Sequence, residues 1–325
     1  MTDSHHSDSV PGRRDKAFSW EREVLEKLAL EGIAEQRRAR RWSIFFKFLF
    51  FAYLLGVTLT ALRPMSTGFI GDKPHTAAVD VNGIIVEKAP GNAENLIKGL
   101  KRAAENQQTK GIVLRMNSPG GSPVQAAYVY EAIRRLKQEK PDLPVIAVVS
   151  DVCASGCYYI AAAADKIYVN PSSIVGSIGV IMNGFGFVET LRKLGVERRL
   201  LTAGEHKALL DPFSPVKPEE KAHVQGLLKE IHQQFIAAVK RGRGDRLKDD
   251  PKLFSGLIWT GSKSVELGLA DGIGDDRSVA KEVIGAEKIV NFTPQENFFD
   301  RLSRQVGSTL GNVVWQALAG NGGLR

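Results

Sequence analysis

The sequence is poor in cysteine and has no low-complexity repeat. Its 325 residues include only Cys153 and Cys157, which are too few for a disulfide scaffold or a cysteine-rich zinc module. Its 32 glycines and 14 prolines follow no three-residue period, which excludes a collagen-like chain. Because 43% of the residues are hydrophobic, the chain can bury a full core, and a wholly disordered protein is excluded.

The net positive charge is not concentrated in one long segment. The formal net charge is +8, yet residues 1–42 hold nine basic and eight acidic side chains, so the excess is spread along the rest of the chain. A diffuse excess without interleaved aromatic residues or a known binding module is a weak signal for nucleic acid. We therefore expect no nucleic-acid partner. We also expect no metal and no other cofactor.

One long apolar run is present, at residues 44–62, interrupted only by Lys47. About 20 such residues cross a bilayer as a helix, so the run predicts a transmembrane segment; a buried helix of a soluble core is the alternative. Four arginines lie between positions 37 and 41, whereas only Arg63 and Lys73 closely follow the run. This asymmetry predicts a cytosolic amino end, and the absence of an A-x-A exit indicates an uncleaved signal anchor.

The regions around this run differ in composition. Residues 1–43 are polar and predict a cytosolic tail, with a surface helix over residues 20–42. Residues 63–76 are rich in glycine and proline and predict a linker. Residues 77–290 form the main domain, and residues 291–325 predict a helical extension that docks on a neighbouring subunit or on a membrane surface.

Within the main domain, short apolar runs alternate with segments of helical length. Strands are predicted at residues 79–86, 111–116, 144–150, 166–170 and 178–182. Helices are predicted at residues 93–106, 123–139, 155–164, 186–194 and 217–241. Repeated strand-then-helix order is typical of a parallel α/β core. Ligands of such folds lie beyond the carboxyl ends of the strands, where this sequence has two loops of small residues.

These two loops carry groups suited to acyl transfer. In NSPGGSP (117–123), Gly120 and Gly121 can present backbone N–H groups to a developing oxyanion, although a tight turn is the alternative role. In DVCASGC (151–157), Ser155 stands where a helix begins and the helix dipole favours negative charge. Its alternative role is that of an N-cap.

A serine nucleophile needs a base, and most histidines are poorly placed for this role. Five of the six lie in the tail, in the linker or on a charged helical stretch predicted to be solvated: His5, His6, His75, His223 and His232. No G-x-S-x-G motif supports an α/β-hydrolase triad. Lys207 precedes three apolar residues, so its stem can enter an apolar site. A lysine acts as a base only in its neutral form, which burial favours.

Four segments of the sequence form an ordered set: NSPGGSP, ASGCYYIAAAADKIYVNPSSIVGSIGV, TAGEHKALLDPF and WTGSKSVELGLADGIG. Their order and spacing resemble those of the signal peptide peptidase family of Ser/Lys proteases, peptidase family S49. Over roughly residues 77–290 the chain resembles the half-length, membrane-anchored form of this family. The resemblance implies a core similar to the Clp protease and crotonase superfamily, built of repeated strand-strand-helix units. It also implies a homo-oligomeric ring in which neighbouring chains complete each active site.

The resemblance also assigns roles to single residues. It implies that Ser155 is the nucleophile, that Lys207 is the general base and that Ser177 orients the lysine. The oxyanion donors it implies are Gly120 and Gly156, and the substrate groove it implies includes Gly121 and Ser122.

The sequence departs from the family pattern in two places. Glu205 and His206 replace a basic or aromatic pair, which leaves a Ser/His arrangement with His206 as an alternative. Cys157 stands where many relatives have glycine. Outside the cytosol it could pair with Cys153, but we expect packed free side chains, because a bridge would bend the nucleophile loop.

The function implied by the resemblance is that of a membrane-anchored serine endopeptidase on the periplasmic side of a bacterial inner membrane. Its implied substrates are remnant signal peptides or other membrane-associated peptides. The alternatives are a quality-control protease for misfolded membrane proteins and a catalytically idle membrane scaffold of the same fold. Acyl-CoA chemistry of the crotonase kind is disfavoured by the anchor and by the Ser/Lys pair.

Overall fold

A computed structural model describes residues 36–38, 40–58 and 73–294, which fall in two compact units, Met1–Ile70 and Gly71–Arg325. In the first unit, helix α1 (Gln36–Thr58) is long and apolar enough to cross a membrane. Its large apolar side chains are exposed along the helix, as lipid-facing side chains would be. The predicted apolar helix is thus confirmed as far as Thr58. Helix α1 begins before the predicted start at residue 44, because the end of the predicted tail is already helical. The rest of the tail, most of the linker and all but residues 291–294 of the carboxyl-terminal extension lie outside the described residues.

The second unit is built on an eight-stranded sheet. The strands are β1 (His75–Asn82), β2 (Thr109–Ser118), β3 (Val145–Ala154), β4 (Lys166–Val169), β5 (Ile174–Gly176), β6 (Ile258–Thr260), β7 (Gly272–Ile273) and β8 (Ile289–Asn291). The main order is β6-β5-β3-β2-β1-β8. Strand β3 pairs first with β4, from Ile146 to Val149, and then with β5, from Val152 to Ala154. All pairs are parallel except β5 with β6, which is antiparallel.

Helices cover both faces of this sheet. They are α2 (Ala93–Glu105), α3 (Pro123–Glu139), α4 (Gly156–Ala161), α5 (Val188–Lys193), α6 (Pro218–Arg243), α7 (Gly261–Glu266) and α8 (Asp276–Ser278), followed by a π-helix over Val279–Ile284. Helices α2, α3 and α4 pack on the face that carries Leu114 and Met116. On the other face, Val113 and Val148 pack against Val279 of the π-helix. Strands β1, β2 and β3 are therefore buried on both faces, as in other parallel sheets.

Local sequence explains how these elements begin. Asn92 caps α2, because its side chain accepts a hydrogen bond from the Asn95 N–H at 2.8 Å. Ser122 caps α3 in the same way, and Pro123 follows at the first helical position, where its missing N–H costs nothing. The sequence prediction of an α/β core with parallel strands is confirmed.

Several boundaries differ from the prediction; the strand predicted at residues 79–86 is β1 and ends at Asn82. Residues 178–182 form no strand; the strand of that region is β5, and the chain turns away at Ser177, which has a φ of 54°. Ile181, 86% exposed, and its neighbours thus lie on the surface of the single chain. The linker also ends earlier than predicted, since β1 begins at His75, which is fully buried beside Thr76.

Candidate active site

Ser155 occupies the turn between β3 and α4. Its φ of 52° and ψ of −122° lie in a region that non-glycine residues rarely adopt, at a cost on the order of 1–3 kcal/mol. Its N–H donates to the Gly176 carbonyl at 2.8 Å, and its own carbonyl accepts from the Tyr159 N–H at 3.0 Å. The side chain caps nothing, although the residue stands at the N-cap position. The turn thus holds the Ser155 backbone from both sides and leaves its hydroxyl uncommitted.

The glycine loop 117–123 lies directly against this turn. A Cβ built on Gly120 would lie 2.6 Å from the Ala154 carbonyl oxygen, 2.7 Å from the Gly156 nitrogen and 2.8 Å from the Ser155 Cβ. Gly120 also has a φ of 98°, so only glycine fits here without strain. The two predicted oxyanion donors, Gly120 and Gly156, therefore lie next to the predicted nucleophile. In this structure the Gly120 N–H donates to the Ser118 hydroxyl at 3.1 Å.

The same loop is tied to the chain that follows β1. Ile85 forms an isolated parallel bridge with Gly121, and the Ser122 N–H donates to the Ile85 carbonyl at 2.8 Å. A Cβ on Gly121 would come within 2.3 Å of that carbonyl oxygen, so the two backbones touch. Gly121 and Ser122 thus have a clear structural role in anchoring the loop; their role in a substrate groove stays a prediction.

Ser177 leaves β5 beside the Ser155 turn. Its N–H donates to the Leu257 carbonyl at 2.8 Å, and its side chain is half-buried. Within residues 73–294 the Ser177 hydroxyl has no hydrogen-bond partner. Trp259 lies on the neighbouring strand, against Gly176, a contact that sequence reasoning did not find.

Lys207 is exposed in the single chain. Within the described part of the domain its ammonium forms no hydrogen bond or ion pair, and thus none with Ser155 or Ser177. The burial expected from the sequence is absent here, because the three apolar residues after Lys207 are themselves only half-buried. His206 is exposed as well, so one chain gives a Ser/His pair no support either. His232, expected to be solvated, is instead half-buried with its Nε2 2.9 Å from the Ile178 carbonyl oxygen.

Lys207 lies on a segment that we call the lysine arm, residues 178–217. Arg198 holds both carboxylate oxygens of Asp211 at 3.0 Å, and the Ser214 hydroxyl donates to the same carboxylate at 2.7 Å. The Ser214 hydrogen bond and the Arg198 guanidinium lower the pKa of Asp211 below its usual value. The Leu210 N–H donates to the buried Glu220 carboxylate at 3.3 Å. The arm that carries the lysine is thus ordered by contacts that the sequence did not reveal.

Cys153 and Cys157 form a disulfide, contrary to the packed free side chains expected from the sequence. Their Cα atoms are 5.1 Å apart, within the range that a disulfide requires. The strand-to-helix turn produces this proximity, because it folds residue 157 back over residue 153. Both residues are fully buried.

A polar cavity of about 610 Å³ lies elsewhere, with Arg115, Ser150, Asp151 and Asp276 in its wall. None of the predicted site residues lines it. Among the described residues no group of three or more histidine, cysteine or acidic side chains is placed to hold a metal ion.

Fold and site together define a class: an α/β protein that presents a strained serine beside two glycine N–H groups. The model of peptidase family S49 matches residues 136–289. A putative signal peptide peptidase SppA of Enterococcus faecium is 30% identical over 250 residues, which cover 74% of this chain and 72% of that protein. The chain belongs to peptidase family S49, and the family prediction is confirmed.

Other relatives are longer proteins. A Brucella abortus protein named Na(+)/H(+) antiporter NhaA is 45% identical over 215 residues, which cover 66% of this chain and 29% of that one. Protease 4 of Haemophilus influenzae is 31% identical over 221 residues, which cover 66% of this chain and 35% of that protein. This chain thus spans about a third or less of their length. A solved mutant of the 1510-N membrane-bound stomatin-specific protease matches with 16% identity and a TM-score of 0.37, over 69% of this chain and 96% of that one.

Proposed function

We propose that this protein is a membrane-anchored serine endopeptidase with Ser155 as nucleophile and Lys207 as general base. The observation that carries the proposal is the packing of the Gly120 loop against the strained Ser155 turn. A Cβ built on Gly120 would lie only 2.8 Å from the Ser155 Cβ. This arrangement offers backbone donors next to an uncommitted hydroxyl, as acyl transfer requires. Family membership supports the reaction class.

In the proposed reaction, the neutral Lys207 amine takes the proton of the Ser155 hydroxyl as the oxygen attacks a peptide carbonyl. The Gly120 and Gly156 N–H groups hold the oxyanion that develops. The Gly120 N–H exchanges its present acceptor, the Ser118 hydroxyl, for this more negative oxygen. The lysine then returns the proton to the leaving amine, and water hydrolyses the acyl-enzyme. Ser177 orients the lysine.

We infer that Lys207 meets Ser155 of a second copy of the chain, within a ring of subunits. The lysine arm supports this inference, because it leaves large apolar side chains in water: Ile181 is 86%, Phe185 83% and Leu201 97% exposed. Monomeric proteins rarely keep such a patch exposed, and covering it with another subunit would also remove water from Lys207.

We also propose that α1 anchors the chain in a bacterial inner membrane and that the catalytic domain faces the periplasm. The arginines before the apolar run support this orientation through the positive-inside rule. A protease tethered at this surface suits peptides that remain at the membrane, such as remnant signal peptides. Segments of misfolded membrane proteins are the second substrate class to test.

Labelling with a fluorophosphonate probe tests the enzyme and its base together. The full-length chain in intact cells should label at Ser155, and Ser155→Ala and Lys207→Met should each abolish labelling. Lys193→Met, an exposed lysine on the same arm, is the matched control and should label normally. A membrane-impermeant probe that labels the intact cells supports the periplasmic orientation. No labelling of the wild type at Ser155 would instead indicate an idle scaffold.

Co-expressing two inactive variants tests whether Lys207 of one chain acts on Ser155 of a second copy. When Ser155→Ala and Lys207→Met chains are co-expressed, a mixed assembly contains sites with an intact serine from one chain and an intact lysine from the other. Activity should return in the mixture alone. Co-assembly without recovered activity would show that the lysine does not act across subunits.

A further inference from the structure

The turn that carries Ser155 is bracketed by a covalent bond. Cys153 lies two residues before the serine and Cys157 two residues after it, and their sulfur atoms are joined. Cys153 belongs to the buried centre of the sheet, where it pairs with Ser118 of β2 on one side and with Val175 of β5 on the other. Cys157 belongs to the first turn of α4. The bond therefore fixes the start of the helix to the sheet directly beneath the serine.

The Ser155 backbone needs such a constraint. A positive φ at a non-glycine residue persists only where the surroundings over-determine it. The other constraints within this turn are the two backbone hydrogen bonds of Ser155, to Gly176 and from Tyr159. Helix α4 is only six residues long and its N-cap side chain makes no hydrogen bond, so its first turn is held by contacts with the rest of the domain and not by its own capping.

We propose that the Cys153–Cys157 disulfide is a positioning cross-link that keeps Ser155 in its reactive conformation, so that the dithiol form of the chain is poorly active. This inference rests on the proposed function. The bond adds nothing to the chemistry of the reaction and touches no reacting atom. It acts through the backbone, by restricting the turn to the one conformation in which the hydroxyl lies beside Gly120 and Gly156.

The cross-link forms by thiol–disulfide exchange with a disulfide oxidant. One cysteine thiolate attacks the oxidant and releases its first thiol, and the second thiolate then attacks the mixed disulfide and releases the other. The two cysteines lose two electrons and two protons in total, and the oxidant becomes two thiols. Because both cysteines are fully buried in the folded domain, exchange takes place before folding is complete or during local opening.

This chemistry links activity to compartment. A chain still in the reducing cytosol keeps both thiols, whereas a domain moved to an oxidising compartment gains the bond and then shields it from reductants. The proposed protease would therefore become fully active only after its catalytic domain has left the cytosol. Peptides of the cytosol would be protected from it during its synthesis.

The test compares the labelling rate of Ser155 in the oxidised and reduced forms of one protein. An aliquot of the full-length chain, purified in detergent without reductant, is unfolded in denaturant and alkylated with iodoacetamide, and the mass of the 153–157 peptide reports the bond. A second sample is reduced with dithiothreitol at a temperature that permits local opening, and a third is reduced and then treated with oxidised glutathione. Cys153→Ala/Cys157→Ala and the control Ile133→Val, a buried site on α3, are measured beside them.

We expect the reduced wild type and the double alanine variant to label at least tenfold more slowly than the oxidised wild type. Oxidised glutathione should restore the wild type and leave the double variant unchanged, which assigns the loss to the bond and not to damage during reduction. Ile133→Val should lower the melting temperature without slowing labelling.

Three results would overturn the inference. If both cysteines alkylate in the protein as purified, the bond is absent. If oxidised and reduced wild type label at the same rate, the bond does not position Ser155, while the protease proposal stands. If neither form labels at all, the protease proposal fails and this inference fails with it. Should the double variant not fold, the reduced wild type alone decides.

Discussion

Ser155 and Ser177 leave two neighbouring parallel strands at the same level of the sheet. The residues before them, Ala154 and Gly176, are register partners in β3 and β5. Both serines have nearly the same positive φ, 52° and 54°, and the Ser155 N–H donates to the Gly176 carbonyl. One backbone pairing thus couples two strained turns, and it presents both hydroxyls at one edge of the sheet.

Ser177→Ala should slow acylation without destabilising the domain. The Ser177 hydroxyl has no partner within residues 73–294, so its removal leaves no buried group unpaired. If it orients the lysine, as we propose, its loss should lower kcat by about 10²-fold, the low end of what positioned acid–base groups contribute, with little change in KM. Steady-state hydrolysis of a peptide ester and the fluorophosphonate labelling rate are the measurements.

Ser172→Ala is the matched control for this experiment. Ser172 lies in the exposed turn before β5, and its side chain makes no hydrogen bond in the described domain. It should leave both kcat and the melting temperature unchanged. A Ser177→Ala variant that labels at the wild-type rate would refute the orienting role while leaving Ser155 as nucleophile.

Gly120→Ala should greatly lower turnover. The new Cβ would lie 2.6 Å from the Ala154 carbonyl oxygen, so the loop must shift away from the Ser155 turn. Loss of one oxyanion donor typically costs about 10²–10³ in kcat. Hydrolysis and labelling should both fall by this amount, and the strain at a φ of 98° should lower the melting temperature.

Gly226→Ala is the matched control for Gly120→Ala. Gly226 lies within α6, and a Cβ there would meet nothing within 4 Å. Gly226→Ala should therefore stabilise the helix by about 0.5–1 kcal/mol and leave turnover unchanged. Normal hydrolysis by Gly120→Ala would show that the 117–123 loop takes no part in catalysis.

The sequence predicted those parts of the fold in which local pattern and final environment agree. Strands β2 and β3 contain apolar runs, at residues 112–114 and 145–149, that are buried on both faces, and α3 has both its cap and its first-turn proline in the sequence. The strand prediction was wrong at residues 178–182, where Ile178 is buried but Ile181 and Met182 lie on the surface of the single chain.

The missed contacts of the site are tertiary. Arg198 and Asp211 are 13 residues apart on an arm of little regular structure, so no periodicity relates them. The disulfide depends on how sharply the chain turns at Ser155, which spacing alone leaves open. The structure places Gly120 against the Ser155 turn, and the role of Gly120 and Gly156 as oxyanion donors stays a prediction. The partner of Lys207 stays a prediction, because one chain does not contain it.

Arg243→Met should be strongly destabilising. The Arg243 side chain is fully buried, and its guanidinium donates to the Asp271 carboxylate at 2.6 and 3.0 Å and to the Gly268 carbonyl. The variant leaves the Asp271 carboxylate with Arg246, at 3.3 Å, as its remaining charged partner. Breaking a buried ion pair costs about 3–5 kcal/mol, and the remaining pair places the loss at the lower end. Denaturant unfolding of the full chain should report this loss. Arg241→Met, which breaks the exposed pair with Glu131, should cost less than about 1 kcal/mol.

The same ion pair predicts how stability depends on pH. Burial would raise the pKa of Asp271, but the hydrogen bonds and charge of Arg243 outweigh it and hold that pKa below its usual value. A carboxyl with a lowered pKa stabilises the fold above about pH 4 and loses this contribution as the pH falls through the folded pKa. Wild-type stability should thus fall in acid more steeply than that of Asp271→Asn. Parallel curves would show that the pair contributes no pH dependence.

Asp211→Asn should loosen the lysine arm while leaving the core intact. The substitution removes the charge that binds Arg198 and the hydroxyl of Ser214, and charge-assisted hydrogen bonds are the stronger ones. Amides of residues 208–214 should exchange with deuterium faster, on the order of tenfold, and the labelling rate of Ser155 should fall while the melting temperature changes little. Glu197→Gln, which breaks the exposed pair with Arg199, should change neither the exchange of these amides nor the labelling rate of Ser155.

Lowering the pH should loosen the lysine arm of the wild type, as Asp211→Asn does. Because Ser214 and Arg198 lower the pKa of Asp211, the contacts persist above about pH 4 and are lost as the pH falls through the lowered pKa. After correction for intrinsic exchange, the 208–214 amides of the wild type should lose protection below that pH. Those of Asp211→Asn should show no such step. A step of equal size in both proteins would assign the pH response to another group and remove Asp211 from the account of how the lysine is held.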